Sequence, residues 1–517
     1  MSIKNLFAMG VLTVSSVFGA NLAGASTNLP PAGRIIVPAI FSENMVLQRD
    51  VPIPVWGWGP EGEEISVFIA DEKHDARMTA PIKVIVKNGK WRVTLPALKA
   101  GGPYTLLIMD NNVSDTLMFT QVLVGDVWLG CGQSNMMMGI TDADGAEAAA
   151  AERFKYPNIR MAQVGRRQAH QITGPQTTVE GYWGPTKWEN ASYGITRSNK
   201  DSTPGCPSAV GYYFSRELYK YLKGEVPVGF IQVAQLLPAI SWVDDQTIAE
   251  TPALVAYRGR GYPDATSMAY VSDIAPLAPF PIRGVIYYQG EMDGGQGERY
   301  RAAMPALIKS WRNTWNNPEL PFFFVQLAGF TDNKAPANKQ LDMDATILAQ
   351  LNKQSAEHGF CGVREAQLMT AESVPFSGMA SAVDLGDPYD IHPRRKLEVA
   401  QRLFLLARKI AYGEKDLVAS GPVPARIENK GSRFEVKFKD VGGGLVSKDS
   451  ELKGFELSAD GKTFIPAQAR IDKDSVIISS PEVKAPAAMR YAWAGYPLCS
   501  LYNKEGLPAS PFRYPVP

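Results

Sequence analysis

Histidine is scarce in this sequence: four residues in 517, so a base working near neutral pH has to be His74, His170, His358 or His392. Cysteine is equally sparse. Cys131, Cys206, Cys361 and Cys499 lie far apart and form no CxxC pair, which argues against a zinc site or a thioredoxin-like motif. One or two disulfides stay open, with no pairing favoured. Net charge is nearly absent, 53 basic against 52 acidic residues giving +1, so no field gathers nucleic acid or an anionic membrane. Beyond residue 25 no apolar run reaches membrane-spanning length, and there is neither an internal repeat nor a low-complexity tract.

The apolar share of 45% with 20% charged residues is that of a globular chain, long enough for two or three domains. Lys4, an apolar run from Leu6 to Ala20 and the small residues Ala23-Gly24-Ala25 read as a cleavable secretory signal over residues 1–25. A periplasmic or secreted protein, not inserted in a membrane, is expected.

Residues 35–118 alternate short apolar runs with turn signals, such as Asn88-Gly89, and predict a small antiparallel β domain. Over residues 119–412 short buried-strand runs (Val127-Trp128-Leu129, Val226 to Val233, Gly284 to Tyr288, Phe322 to Leu327) alternate with helix-period segments (Val210 to Lys223, Glu398 to Lys409). The fold class expected is α/β, a parallel sheet flanked by helices. Residues 413–517 return to β grammar, with Phe434 to Phe438 alternating and Asp460-Gly461 as a turn, and predict a second small β domain.

Three polar strand ends carry chemistry. Gly130-Cys131-Gly132-Gln133-Ser134-Asn135-Met136 follows a buried strand, and glycines there permit a tight turn that exposes a serine at the carboxyl edge of the sheet. Ser134 is the candidate nucleophile, and its own N–H a candidate oxyanion donor; the plain alternative is a Ser N-cap. Cys131 is a rival nucleophile, more readily read as a small packing residue. Tyr288-Gln289-Gly290-Glu291 ends another strand: Gln289 can donate to an oxyanion, and Glu291 can be a structural acid. His392 stands in Asp387-Pro388-Tyr389-Asp390-Ile391-His392-Pro393, where a nearby carboxylate can hold the tautomer a base needs. His74 lies among charges, His170 in a polar stretch, and His358 late in an expected helix.

Together these segments resemble the sialate O-acetylesterase family and the acetylxylan esterases near it, all SGNH hydrolases. Gly132 to Met136 is similar to the nucleophile block, Tyr288 to Glu291 to the oxyanion block and Asp390 to Pro393 to the base block. Phe41 to Arg49, Ala100 to Tyr104 and Asn503 to Pro508 extend the resemblance over nearly the whole mature chain. It implies an SGNH-type central domain and hydrolysis of acetyl esters on sugar hydroxyls. It makes Ser134 nucleophile, His392 base, Gln289 oxyanion donor and Asp390 the orienting acid, with Asp387 still open. Gln133, Asn135 and Glu291 are expected at the substrate. The partner is an O-acetylated sugar, of sialic acid or of a plant polysaccharide, and no metal or organic cofactor is called for.

One departure stands out. Where the family carries a Gly-Gly-Thr loop, this chain has Gln235-Leu236-Leu237, which can still offer a backbone N–H if its φ/ψ suits a side-chain-bearing residue. A glycan-binding protein with a degenerate oxyanion loop is the rival reading from another class; a serine peptidase finds no matching block. Trp183, Trp188 and Trp242 are candidates for sugar stacking, against the plainer reading as core.

Overall fold

The computed structural model describes residues 34–111, 115–164, 187–190, 207–261, 264–332, 345–355 and 357–516. The expected signal segment, His170, Trp183 and Cys206 lie outside these ranges, and of Trp188 only the backbone is described.

The N-terminal region is antiparallel: Ile53–Trp58 pairs with Lys90–Leu95, and Glu64–Asp71 pairs with Ile82–Ile85 and Gly101–Asp110. At Asn88-Gly89 both residues take positive φ (53° and 69°), and Lys87 and Lys90 exchange backbone hydrogen bonds at 2.9 and 3.1 Å. That is the two-residue turn whose twist suits a hairpin.

Seven strands form the central sheet: β1 (Thr116–Gly132), β2 (Ile159–Gln163), β3 (Lys187–Asn190), β4 (Val228–Ala234), β5 (Gly284–Tyr288), β6 (Phe322–Gln326) and β7 (Ser377–Ser381). Their order is β7-β6-β5-β1-β4-β2-β3, parallel throughout except for β3. β4, β5 and β6 are short, rich in β-branched or aromatic residues and, like the second half of β1, buried on both faces, as a sheet covered by helices requires. Along β1, Val127, Leu129 and Cys131 point into one core, shared with Met304, Leu307 and Trp311 of α2 (Gly297–Thr314). Trp128 points into the other, with Phe214 of α1 (Ala209–Tyr221) and Leu403 of α3 (Lys396–Leu406). Each such fully buried large side chain contributes about 1.5–3 kcal/mol.

The sequence reading places a boundary between residues 118 and 119, but β1 crosses it without a break. Its first half pairs antiparallel with Gly101–Asp110 and its second half lies parallel between β4 and β5. The junction is pinned by the buried Asp126, which accepts from Arg49 Nε (2.8 Å) and Nη2 (2.9 Å) and from the Tyr412 hydroxyl (2.8 Å).

The C-terminal region folds around Phe434, Val436, Leu457, Met489 and Tyr491, with Arg433–Lys439 alternating exposed and buried as its sequence does. It docks on the central unit through Arg364, a fully buried guanidinium that meets no carboxylate among the described residues. Arg364 donates to the carbonyls of Leu327 (2.9 Å), Ala328 (2.6 Å), Ala494 (2.7 Å) and Gly495 (2.8 Å), two on each side of the seam. Beside it, Arg513 forks onto Glu365 at 2.8 and 2.9 Å. Cys131, Cys361 and Cys499 are free thiols. No helix among the described residues is long and apolar enough to cross a membrane.

Candidate active site

Register brings the three polar strand ends level. Gly132, the last residue of β1, is paired with Ala234 on β4 and with Tyr288 on β5, so the segments that follow leave the sheet side by side. This is the carboxyl edge beside the strand where the chain order reverses, the position at which open α/β sheets hold ligands. Gly132 has φ +148°, and a Cβ there would sit 2.0 Å from the Tyr288 carbonyl oxygen, so only glycine closes the turn.

After this turn a single helical turn spans Ser134–Met137. Its first amides have no intrahelical acceptor, which leaves the Ser134 N–H beside its own hydroxyl. The Ser134 Oγ lies 2.8 Å from His392 Nε2, a contact between residues 258 positions apart. Asp390 Oδ1 stands 3.5 Å from His392 Nδ1 and accepts the His392 backbone N–H at 2.9 Å. Asp387 does different work: its Oδ1 accepts the amides of Tyr389 (2.8 Å) and Asp390 (3.1 Å), shaping the loop. Of the two carboxylates, Asp390 is the one within reach of the imidazole.

Gln289, expected to face an oxyanion, is fully buried and turned elsewhere. Its Nε2 donates to Asp293 Oδ2 (2.7 Å) and, at a longer 3.4 Å, to the Leu237 carbonyl, so both amide hydrogens are taken. Asp293 also accepts the Ala239 N–H (2.9 Å) and Arg299 Nη2 (2.9 Å), and so ties the end of β5 to the loop after β4. That loop runs beside the nucleophile turn because Gln235 donates its N–H to the Gly132 carbonyl (2.9 Å). None of Gln235, Leu236 and Leu237 takes a positive φ, so side chains cost the backbone nothing there. The Leu236 amide has no acceptor among the described residues, and its side chain is exposed.

Asn135 and Glu291, expected at the substrate, are drawn inward instead. Asn135 accepts from Lys396 Nζ on Oδ1 (2.6 Å) and donates Nδ2 to Glu291 Oε1 (2.5 Å) and to the Ile391 carbonyl (3.0 Å), which leaves its amide nothing for a sugar. The other Glu291 oxygen is buried without a hydrogen-bond partner among the described residues. Gln133 keeps a free group: its Oε1 accepts from Met292 N–H at 3.3 Å, and its Nε2 has no acceptor among the described residues. Cys131 is no nucleophile here; it is fully buried in β1, and burial pushes its thiol well above the ordinary value. Trp242 is core rather than sugar platform, closed in by Tyr287 and Trp311. His358 lies in the turn before Phe360–Ser373, not late in a helix, and its Nδ1 accepts the Phe360 N–H at 3.2 Å.

The sequence profile of the carbohydrate esterases described as sialic acid-specific acetylesterases matches residues 124–387, just over half of the chain. The chain belongs to this family. The profile match stops before His392. Among solved structures, a carbohydrate acetylesterase from Xanthomonas citri is 32% identical, with 93% of this chain and 99% of that one covered and a TM-score of 0.76. The sialate O-acetylesterases of Pongo abelii and Homo sapiens are 29% and 28% identical over 510 residues, with 91% of this chain and 91% of each relative covered.

In this esterase the sequence reading missed Asp293 and Lys396. The first had a signal, a carboxylate four positions after Gln289; the second, a lysine four positions after His392, looks in sequence like any helix-start cation. Asp390 is exposed, its side chain at 59%, and its 3.5 Å contact is longer than a charge-assisted hydrogen bond. Asp390→Asn is therefore expected to lower kcat only about 10- to 100-fold, well short of the roughly 10⁴-fold known for a buried triad aspartate. Steady-state rates on an aryl acetate measure it, and a 10⁴-fold loss would mean the carboxylate grips the imidazole far more tightly.

Burial pushes Lys396 from its ordinary 10.5 down to about 7, partly opposed by Glu291 and Asp390. Between these values the unfolded chain holds a proton that the folded protein lacks, so stability rises with pH across that window. Glu291, pushed up chiefly by burial, acts in the opposite sense above its ordinary 4.5. The thermal midpoint of Lys396→Met is accordingly expected to vary less than wild type between pH 7 and 10.5, as scanning calorimetry would record; equal slopes would contradict the shift.

Proposed function

We propose that this carbohydrate esterase removes acetyl groups from sugar hydroxyls, with O-acetylated sialic acid as its first-choice substrate, through a covalent acetyl-enzyme on Ser134. The carrying observation is the 2.8 Å contact between Ser134 Oγ and His392 Nε2. His392 takes the serine proton as Oγ attacks the acetyl carbonyl, and returns a proton to the departing sugar oxygen. Water, activated by the same imidazole, then releases acetate. Asp390 steadies the imidazole. The backbone N–H of Ser134 and of Leu236 are the oxyanion donors this reading uses, with Gln133 Nε2 the side-chain amide left over for the acetyl or the sugar. Gln289 moves from oxyanion donor to support: through Asp293 it fixes the loop that carries Leu236.

The sialate preference rests on the names of the relatives, and acetylated xylan is the alternative. Export to the periplasm or the medium is part of the proposal, supported by the Lys4, Leu6 to Ala20 and Ala23-Gly24-Ala25 pattern. The test is acetate release by purified enzyme from O-acetylated sialic acid, acetylated xylan and an aryl acetate. Preferential release from the first supports the reading; release from xylan alone reassigns the sugar, and none from any of the three moves the assignment to glycan binding.

A further inference from the structure

The catalytic pair sits on two segments that come from opposite ends of the central domain, and the contact holding those segments together is not the catalytic one. Asn135 immediately follows the nucleophile and Ile391 immediately precedes the base, and Asn135 Nδ2 donates to the Ile391 carbonyl at 3.0 Å. This cross-tie works only if the Asn135 amide faces one way, nitrogen toward Ile391 and oxygen away from it. Lys396 favours that orientation: its Nζ donates to Asn135 Oδ1 at 2.6 Å. Glu291 Oε1 accepts the second Nδ2 hydrogen at 2.5 Å and selects the same orientation.

Lys396 is fully buried, and its Nζ lies 5.1 Å from the centre of the Tyr288 ring. No ion pair joins it directly to Glu291 among the described residues; the two groups are linked through the Asn135 amide. The arrangement is costly, because an amine and a carboxyl buried together and linked only through an amide recover little of their desolvation, and a Leu or Met in place of lysine would pack more cheaply. A group kept at such cost beside a reaction centre calls for a role beyond packing.

We propose that Lys396 is a positioning residue of the esterase, locking the Asn135 amide so that the nucleophile turn and the base loop stay at hydrogen-bonding distance. This rests on the reading of Ser134 and His392 as the catalytic pair. Release of the lock leaves substrate contacts in place but lets Ser134 and His392 drift, and a misplacement of about 1 Å costs on the order of 10²-fold in rate.

Three purified proteins test this on an aryl acetate, with Ser134→Ala as control. Lys396→Met is expected to lose about 10- to 100-fold in kcat with KM within twofold of wild type. The variant carrying both Asn135→Asp and Glu291→Gln separates positioning from folding. In it the new carboxylate still accepts from Lys396 and from the new amide, so the buried groups stay paired, but nothing donates to the Ile391 carbonyl. It is expected to stay folded, with a thermal midpoint lowered by the stranded Ile391 carbonyl, and to show the same fall in kcat, with the rate of Ser134 labelling by a fluorophosphonate falling in parallel. Wild-type kcat in this double variant overturns the proposal, whatever Lys396→Met does to folding. If Ser134→Ala itself retains activity, the catalytic reading fails instead, and the two failures are told apart by that control.

Discussion

Ser134→Ala is expected to lower kcat on an aryl acetate on the order of 10⁵-fold with little change in KM or thermal midpoint. Among the described residues the hydroxyl makes one side-chain hydrogen bond, at 2.8 Å to His392, so its loss removes chemistry without unpicking the fold. Without it the imidazole can act only on water, and what remains is the rate enhancement that oxyanion donors and substrate binding supply on their own. His392→Ala should cost about as much, and the double replacement hardly more, because a nucleophile and its base act as a unit. Rates from enzyme purified free of host esterases decide the matter. Retention of a hundredth of wild-type kcat in Ser134→Ala would remove this serine from the mechanism.

Arg364→Met should have the largest effect on stability. The carbonyls of Leu327, Ala328 and Ala494 lose this donor at once, while that of Gly495 keeps the Phe330 N–H at 2.9 Å, and each polar group stranded without a partner costs about 1–3 kcal/mol. Relief of the guanidinium's own burial, which holds its pKa below the ordinary value, offsets part of this. A net loss of several kcal/mol is comparable to the whole stability of an ordinary domain. Ala494 and Gly495 lie across the seam, so the C-terminal region is expected to come loose first. Limited proteolysis should cut near residues 413–421 in the variant and spare wild type, and an unchanged thermal midpoint would contradict the assignment. Arg364→Lys should fail almost as badly, because an ammonium cannot span carbonyls that a planar fork reaches together.

Much of the site was readable from the sequence because strand ends announce themselves. Val127 to Leu129, Val226 to Val233 and Gly284 to Tyr288 are short apolar runs that stop at glycines and amides, and a parallel sheet places such ends on one edge. What the sequence could not show was where each amide points. Gln289, Asn135 and Gln133 are chemically alike. Only tertiary packing sends the first to Asp293, locks the second under Lys396 and leaves the third free. The same holds for Trp242, whose composition suits a sugar platform and whose neighbours, Tyr287 and Trp311, make it core. Substitution of Gln235-Leu236-Leu237 for a glycine-rich loop looked damaging in sequence; ordinary backbone angles and a free Leu236 amide make it tolerable.

The strand from Thr116 to Gly132 has a consequence for how this enzyme can be recombined. Pairing period in a strand is two, so inserting or deleting one residue within Asp126–Gly132, where β1 lies between β4 and β5, would swap Trp128 and Leu129 between the two cores and turn the nucleophile away from the base unless a bulge took it up. The position of Ser134 is in effect counted from the pairing of Gly132 with Ala234 and Tyr288. Chimeras joined inside this strand therefore have to match it residue for residue, whereas a junction before Gly101, which carries the whole antiparallel partner along with β1, keeps the count intact. Lineages of this esterase should exchange their N-terminal sheets rarely, and as a block when they do.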